Sequence, residues 1–360
     1  MKREKWRDLD KERFNKVYAE KHVPVLLEDV CHMPAVAYWN SFDYFLKQLP
    51  KDKYVDVSVS ESTFSGEISN HREVTMRFDE CMETMKRRYE EAKIKTTKRR
   101  RNMLRYYLCQ CPLSQTFPSL IRDVRAPPFL DSLSDVSSIN LWCAGDAVTS
   151  SLHYDENHNI LIVTRGQKRV KLYNPSCKMI LPNGVSSNSG NHARFREASC
   201  DAKPDYIVDV KKCTALFIPE GWYHEVESSP GTIGLNMWFE AGLRSKIIAE
   251  PRMLPFYIRV SLREVLSREL QQRLEKRRKL CRPWAVRTEK EWKELLCGDM
   301  DGLTGTMLAE DLDAMSDSGK YTKSDFDRIL GDDGAEKLLS MRESYSKLVL
   351  CDIIKTYNIY

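Results

Sequence analysis

From about residue 138 to residue 239 the chain reads as a train of short apolar or alternating stretches, each closed by a turn. This spacing constrains the fold more than any other feature. Ile139-Asn140-Leu141-Trp142-Cys143 runs into a Gly145-Asp146 turn, and strands are predicted at 148–155, 158–164 and 168–173, the last stopped by Asn174-Pro175. The next ~30 residues are rich in Gly, Ser and Asn and read as a long loop. Strands resume at 205–210, 213–218, 223–228 and 231–239. Many short strands at this interval predict a β-sandwich or barrel. The longest apolar runs, such as Ile160-Leu161-Ile162-Val163, are strand-sized. That is too short for a membrane-spanning helix, so no membrane association is expected.

The flanks differ in texture. The first ~80 residues alternate helical and extended signals: Phe14, Val17 and Tyr18 predict a short amphipathic helix, His22 to Leu27 a strand, and Ser41 to Leu49 a helix. Residues 77–105 read as a polar helix. Beyond Gly242 the pattern turns helical, with Leu262, Val265, Leu266, Leu270 and Leu274 forming an apolar stripe. Thr288 and Glu291 make a possible capping box, and residues 297–320 a Gly/Asp/Ser-rich connector. The expected fold is mainly β with flanking helices. Residues 1–110 pack on a β core at 111–245, and 246–360 form a helical appendage. Asp299, Asp301 and Glu310 imitate a calcium loop, but Leu303 and Thr304 stand where an oxygen donor and a glycine are needed.

Composition excludes global disorder: hydrophobic residues make 42% and charged residues 30% of the 360. The N-terminus, Met-Lys-Arg-Glu-Lys-Trp, lacks the apolar centre of a secretory signal. The eleven cysteines include no C-x-x-C pair, so they read as reduced intracellular thiols rather than a zinc site. Charge is concentrated. Lys86 to Arg105 holds ten Lys/Arg against two Glu, whereas the whole chain is only +5. That segment reads as a nucleic-acid contact, a nuclear import signal or a solvated helical face.

Two of the seven histidines stand out. His153-Tyr154-Asp155 lies in a strand pattern, where residues i and i+2 share a face, so imidazole and carboxylate project together. His224 opens a later strand about 70 residues on. Two histidines and one carboxylate are the facial triad of non-haem Fe(II), which leaves coordination positions open. Catalytic zinc is the competing metal, and a strand histidine hydrogen-bonded to a neighbouring carboxylate is the structural alternative.

The stretches Ser151-Leu152-His153-Tyr154-Asp155, Gly166-Gln167-Lys168-Arg169 and Ile218-Pro219-Glu220-Gly221-Trp222-Tyr223-His224-Glu225-Val226-Glu227-Ser228 resemble the JmjC/cupin-type 2-oxoglutarate oxygenases. The likeness is greatest to the small JmjC-only group, which includes factor inhibiting HIF, the tRNA wybutosine hydroxylase and plant JmjC-only proteins. It covers roughly 100–242, with a looser match from Phe14 to about Leu49.

The resemblance implies a double-stranded β-helix (a cupin or jelly-roll core) whose open end holds iron. His153, Asp155 and His224 match the three metal ligands. Lys168 matches the lysine that pairs with the distal carboxylate of 2-oxoglutarate, with Arg165, Arg169 and Lys171 as competitors on residue type. Ser150 and Tyr107 match its hydroxyl partners, Tyr106 being the alternative tyrosine. Asn159 and Asn236 match amides lining the iron-proximal end. A buried dianion needs a cation and hydrogen-bond donors, which a lysine and two hydroxyls provide. Trp142, Leu152, Tyr154, Trp222 and Trp238 are candidates for apolar walls or for core packing. The chain departs from the family at Lys212-Cys213-Thr214-Ala215, where Gly-Asp is usual. It departs again at Cys109-Gln110, where Gln-Gln is usual and substrate can be contacted.

The implied activity is an Fe(II)- and 2-oxoglutarate-dependent dioxygenase, with O2 as second cosubstrate, that hydroxylates a side chain of an intracellular protein. Histone lysine demethylation, RNA or tRNA hydroxylation through Lys98-Arg99-Arg100-Arg101, and a catalytically silent cupin scaffold are the alternatives. Nuclear or cytoplasmic residence is expected; Leu262, Leu266 and Leu270 are the candidate face for homodimerisation, with packing on the chain's own β core as the alternative.

Overall fold

The computed structural model describes residues 1–60, 72–94, 104–183, 190–195 and 202–240, with 253, 256 and 260. The chain divides into two units. The first comprises 1–174 with 199–242, and the second 175–198 with 243–360.

The first unit is built on two sheets. The larger has nine strands in the order β1-β2-β13-β8-β15-β6-β5-β3-β4. In chain order these are β1 (Lys2–Lys5), β2 (Val25–Glu28), β3 (Tyr54–Ser60), β4 (Arg72–Arg77), β5 (Arg105–Pro112), β6 (Val136–Ala144), β8 (His158–Arg165), β13 (Thr214–Ile218) and β15 (Ile233–Phe239). The smaller sheet has the order β12-β9-β14-β7, from β7 (Val148–His153), β9 (Gln167–Tyr173), β12 (Tyr206–Lys211) and β14 (Tyr223–Ser228). Apart from the parallel β1–β2 pair, every pairing in these sheets is antiparallel. From β6 onward the chain passes back and forth between the sheets, which is the double-stranded β-helix. In the second unit β10 (Ile180–Pro182) and β11 (Ala193–Phe195) form an antiparallel pair inside the segment expected to be a loop.

Period-2 chemistry explains the layering. In β14, His224, Val226 and Ser228 are buried, while Tyr223, Glu225 and Glu227 are half-buried. In β9, Lys168, Val170 and Leu172 are buried on one face. The two sheets meet in a core that joins Leu161, Val163 and Ile218 of the larger sheet to Val170, Val208 and Val226 of the smaller. β8 is buried from His158 to Thr164 because it is covered on both faces, which suppresses the alternation.

Strands β2 and β5 hydrogen-bond directly beside β13 and β6, so the N-terminal segment is continuous with the sheet that carries the core. Helix α1 (Lys11–Phe14) continues as a π-helical turn over Asn15–Ala19, α2 spans Pro34–Tyr38, and α3 (Phe42–Gln48) starts at its Ser41 N-cap. Phe14 stacks on Phe129 with centroids 3.9 Å apart and meets Phe217 edge-on. Helix α4 (Phe78–Ile94) buries Phe78, Cys81, Met82 and Met85, one face of a 3.6-residue period.

Four expectations change. The helix predicted for 77–105 is helical only to Ile94 among the described residues, and Arg105 already begins β5, whose Tyr107 and Leu108 pair with β6. The alternation in Tyr54–Ser60 marks a strand that the sequence reading did not single out. Cys31 and Cys213 form a disulfide, with Cα atoms 4.5 Å apart, so the cysteines are not all reduced; Cys81, Cys109, Cys111, Cys143 and Cys177 are free. The loop at 174–205 contains the β10–β11 pair. The C-terminal leucine stripe, the capping box, the calcium-loop imitation and Lys98–Arg101 all lie outside the described residues.

Candidate metal and 2-oxoglutarate site

β7 and β14 pair so that His153 lies directly opposite His224, and their ring centroids are 4.2 Å apart. Asp155 follows the end of β7. Donor atoms of His153, Asp155 and His224 all lie within 4.8 Å of one another. His224 Nε2 is 3.8 Å from Asp155 Oδ2.

The ring nitrogens are sorted by what they face. His153 Nδ1 lies 2.7 Å from the Ser151 carbonyl, and His224 Nδ1 lies 2.9 Å from the Trp222 carbonyl. A carbonyl can only accept, so both Nδ1 atoms carry a proton, and in the neutral ring the lone pair is on Nε2. That is the tautomer a metal ligand needs. Asp155 is held as well: its Oδ2 accepts from Asn159 Nδ2 at 2.8 Å and from Trp238 Nε1 at 3.3 Å. Asn159 Oδ1 is buried and, among the described residues, has no hydrogen-bond partner.

The barrel interior also holds a cation. Lys168 is 3% exposed and donates from Nζ to Ser228 Oγ at 2.8 Å and to Tyr107 Oη at 3.1 Å. The Tyr107 hydroxyl also bonds to Ser150 and Ser228, and burial raises its pKa. Burial lowers the Lys168 ammonium to about 8. Among the described residues no carboxylate reaches it. The nearby thiols of Cys109 and Cys143 are each pushed up to about 12 by burial, so they stay neutral and offer no counter-charge. The basic competitors are engaged elsewhere. Arg169 pairs with Asp209, Lys171 with Glu225 and Glu227, and Arg165 stacks over Phe42 and Tyr89. Lys168 is thus the buried ammonium beside the Tyr107 hydroxyl, whereas Arg165, Arg169 and Lys171 meet other partners and Tyr106 is half-buried.

Other residues take further roles. Asn236 Oδ1 accepts from Trp142 Nε1 at 2.8 Å. Trp222 lies in the inter-sheet core and donates to the His22 carbonyl, and Tyr154 is buried edge-on to Tyr223. The tryptophans read as apolar walls thus also act as hydrogen-bond donors. In the basic segment Lys86 pairs with Asp43, Arg88 with Asp146 and Glu91, and Lys93 with Glu90. Arg88 is buried, whereas Lys86 and Lys93 make their pairs at the surface.

A second group of donors escaped the sequence reading. His22, His158 and Glu220 come together from three distant segments, all buried, with donor atoms within the same 4.8 Å limit. No H-x-D or H-x-H spacing announces it.

Two packed sheets with a polar, donor-lined interior define a cupin-class barrel. The chain belongs to the cupin-like domain family, which matches residues 11–245. Among curated proteins it is similar to Lysine-specific demethylase JMJ31 of Arabidopsis thaliana, 27% identical over 64% of this chain and 48% of that protein. It is similar also to Jumonji C domain-containing protein 5 of Drosophila melanogaster, 24% identical over 60% and 54%. A shorter match, 32% identical over 35% of this chain and 13% of the relative, is to tRNA wybutosine-synthesizing protein 4 of Aspergillus oryzae. The chain spans about half the length of the first relatives it matches. These relatives support the JmjC likeness of the sequence motifs. No helix among the described residues is long and apolar enough to cross a membrane.

Proposed function

We propose that the protein is an Fe(II)- and 2-oxoglutarate-dependent dioxygenase that hydroxylates a side chain of an intracellular protein. The observation that carries this reading is the pairing of two sites in one barrel. One is a His/Asp/His group with both Nε2 lone pairs directed away from the backbone. The other is a buried ammonium with hydroxyl partners and, among the described residues, no carboxylate in reach.

The donor set fits the cofactor. Two imidazoles and one carboxylate suit Fe(II) with coordination positions left open. When bound, Fe(II) supplies the oxidising chemistry: O2 is activated as 2-oxoglutarate is decarboxylated to succinate, and the oxidising power is spent on a substrate C–H bond.

The protein's own residues do the rest. His153, Asp155 and His224 hold the metal, and the carbonyls of Ser151 and Trp222 keep the two imidazoles in the ligating tautomer. Asn159 and Trp238 aim the Asp155 carboxylate. Lys168 neutralises the distal carboxylate of the cosubstrate, and Tyr107, Ser150 and Ser228 supply hydroxyl contacts. β14 links the two ends, since His224 and Ser228 sit four residues apart on one face, ~13 Å along the strand. Asn236 joins the wall near the metal. Buried aromatic neighbours exclude water, which protects the reaction from side chemistry.

The likeness to a lysine-specific demethylase favours a second reading by the same chemistry. Hydroxylation of an N-methyl carbon releases that carbon and leaves a demethylated amine. RNA hydroxylation is supported by the wybutosine relatives and the basic stretch at Lys98–Arg101. Homodimerisation through 246–360 and nuclear or cytoplasmic residence belong to the same proposal. Recombinant protein with Fe(II) and 2-oxoglutarate is expected to release succinate, and His153→Ala to abolish it. Screening peptides, methyl-lysine peptides and tRNA nucleosides by mass then separates the chemistries. A gained oxygen on a peptide supports protein hydroxylation; a lost methylene supports demethylation. No succinate from the wild type points to a silent scaffold.

A further inference from the structure

The buried group His22, His158 and Glu220 is not part of the metal and 2-oxoglutarate machinery above. Its relative exposures are 5%, 2% and 9%. Three polar side chains in a core are costly unless their hydrogen bonds are made. The contacts converge on the tight turn that runs Pro219-Glu220-Gly221-Trp222. Glu220 donates its backbone N–H to His158 Nδ1 at 3.1 Å. Its carboxylate Oε1 lies 3.4 Å from His22 Nε2. Gly221, at φ +76°, donates its N–H to the Asp155 carbonyl at 3.0 Å. Trp222 closes the turn on the Pro219 carbonyl, donates its indole N–H to the His22 carbonyl at 2.8 Å, and presents its own carbonyl to His224 Nδ1. One turn therefore touches the backbone of Asp155 and fixes the tautomer of His224.

The same residue types could hold a divalent cation, but the hydrogen bonds oppose it. His158 Nδ1 accepts an N–H, so the proton of the neutral ring is on Nε2 and no lone pair is left for a metal. Burial lowers the pKa of His158 to about 4, which keeps the ring neutral. The contrast with His153 and His224, whose Nδ1 atoms face carbonyls, tells the two groups apart.

We infer that His158, Glu220 and His22 are positioning residues: they lock the Pro219–Trp222 turn, and through it set Asp155 and His224 relative to each other. This rests on the oxygenase reading for its consequence, though the locking of the turn does not.

The test uses the full chain and two readouts. The first is hydrogen–deuterium exchange of the peptide spanning 219–224 in metal-free protein. The second is the affinity for Co(II), used as an air-stable probe of the metal site. His158→Leu removes the acceptor, and His158→Asn keeps an acceptor oxygen near the place of Nδ1. His158→Leu is expected to speed exchange in that peptide and to weaken Co(II) binding ~10–100-fold, the range for loss of an outer hydrogen bond. His158→Asn is expected to restore both to within a few-fold of wild type. Should His158→Leu not fold, Glu220→Ala is expected to move both readouts in the same direction. Unchanged exchange in the Leu or Ala variant overturns the inference, as does an Asn variant no better than Leu. It is also overturned by Co(II) bound to a His153→Ala/His224→Ala double variant and lost on His158→Leu, because the group would then be a metal site. If exchange responds as expected while wild type binds no Co(II), the turn lock stands and the oxygenase reading fails.

Discussion

The Lys168 ammonium on β9 donates to the Tyr107 phenol on β5 at 3.1 Å, joining the smaller sheet to the larger across the barrel interior. Among the described residues the cation meets only neutral groups, the hydroxyls of Tyr107 and Ser228 and the ring faces of Tyr107 and Trp142. The cation and its hydroxyl neighbours are complementary to an anion such as the distal carboxylate of the proposed cosubstrate.

Replacing Lys168 by Met removes the buried charge and keeps most of the volume. Burial depresses the Lys168 pKa from 10.5 to about 8, so holding the ammonium costs the ligand-free protein on the order of 3 kcal/mol. The Met variant is expected to melt higher than wild type in the absence of ligand. Its dissociation constant for 2-oxoglutarate should rise by about 30-fold or more, the cost of leaving a buried carboxylate unpaired. Differential scanning fluorimetry with and without 2-oxoglutarate reads both effects. A lower melting point together with unchanged cosubstrate affinity would contradict the assignment.

The same lysine sets a pH dependence. Its folded pKa, about 8, lies below its unfolded value of 10.5. Below pH 8 both states are protonated and the burial cost is present in full. As pH rises from 8 to 10.5 the folded state releases the proton first, so ligand-free stability gains with pH across that window. Cosubstrate binding moves the other way. The KM for 2-oxoglutarate should be flat below pH 8 and climb above it, and titration calorimetry at pH 9 should detect proton uptake on binding. A KM independent of pH between 7 and 9.5 would rule out Lys168 as the counter-ion.

Tyr107→Phe tests the hydroxyl alone. The ring stays to pack beside Trp142, but the bonds to Lys168, Ser150 and Ser228 are lost. One hydrogen bond to a charged group is worth about 1.5–3 kcal/mol, so cosubstrate affinity should fall roughly 10–150-fold with little change in maximal rate. Steady-state kinetics at saturating substrate separates these terms.

Asp155 is aimed by two donors on one oxygen, Asn159 and Trp238. Trp238→Phe retains the bulk and deletes the indole N–H. Metal affinity is expected to drop by about 10-fold, toward the lower end of the range for outer-shell contacts. Competition with a metal indicator dye measures it, and an unchanged constant would show that Asn159 alone suffices.

Much of this was legible in the chain. The period of two nominated His153 and Asp155 as a pair, and they do come together, although the strand ends at His153 and Asp155 lies just beyond it; turn residues such as Gly145-Asp146 and Asn174-Pro175 mark where strands stop. Lys168 could be nominated only through the family motif; its burial, which separates it from Arg169 and Lys171 on the same strand, depends on which face of β9 turns inward. Helix and strand were confused near Arg105 because charge dominates the local signal, while the pairing of β5 between β3 and β6 is non-local. His22, His158 and Glu220 were illegible for the same reason: positions 22, 158 and 220 share no local pattern, and only the packed turn brings them together. The Cys31–Cys213 link likewise spans 182 residues and has no spacing signature.

The most direct measurement of the central claim is optical. Anaerobic protein is loaded with Fe(II), 2-oxoglutarate is added, and the visible spectrum is recorded before any O2 is admitted. Chelation of the cosubstrate by iron held in a two-His, one-carboxylate site should produce a metal-to-ligand charge-transfer band in the wild type, absent in His153→Ala and shifted to much higher 2-oxoglutarate concentration in Lys168→Met. A wild-type protein that binds Fe(II) yet shows no band at saturating 2-oxoglutarate, or a band that survives loss of His153, would contradict the account.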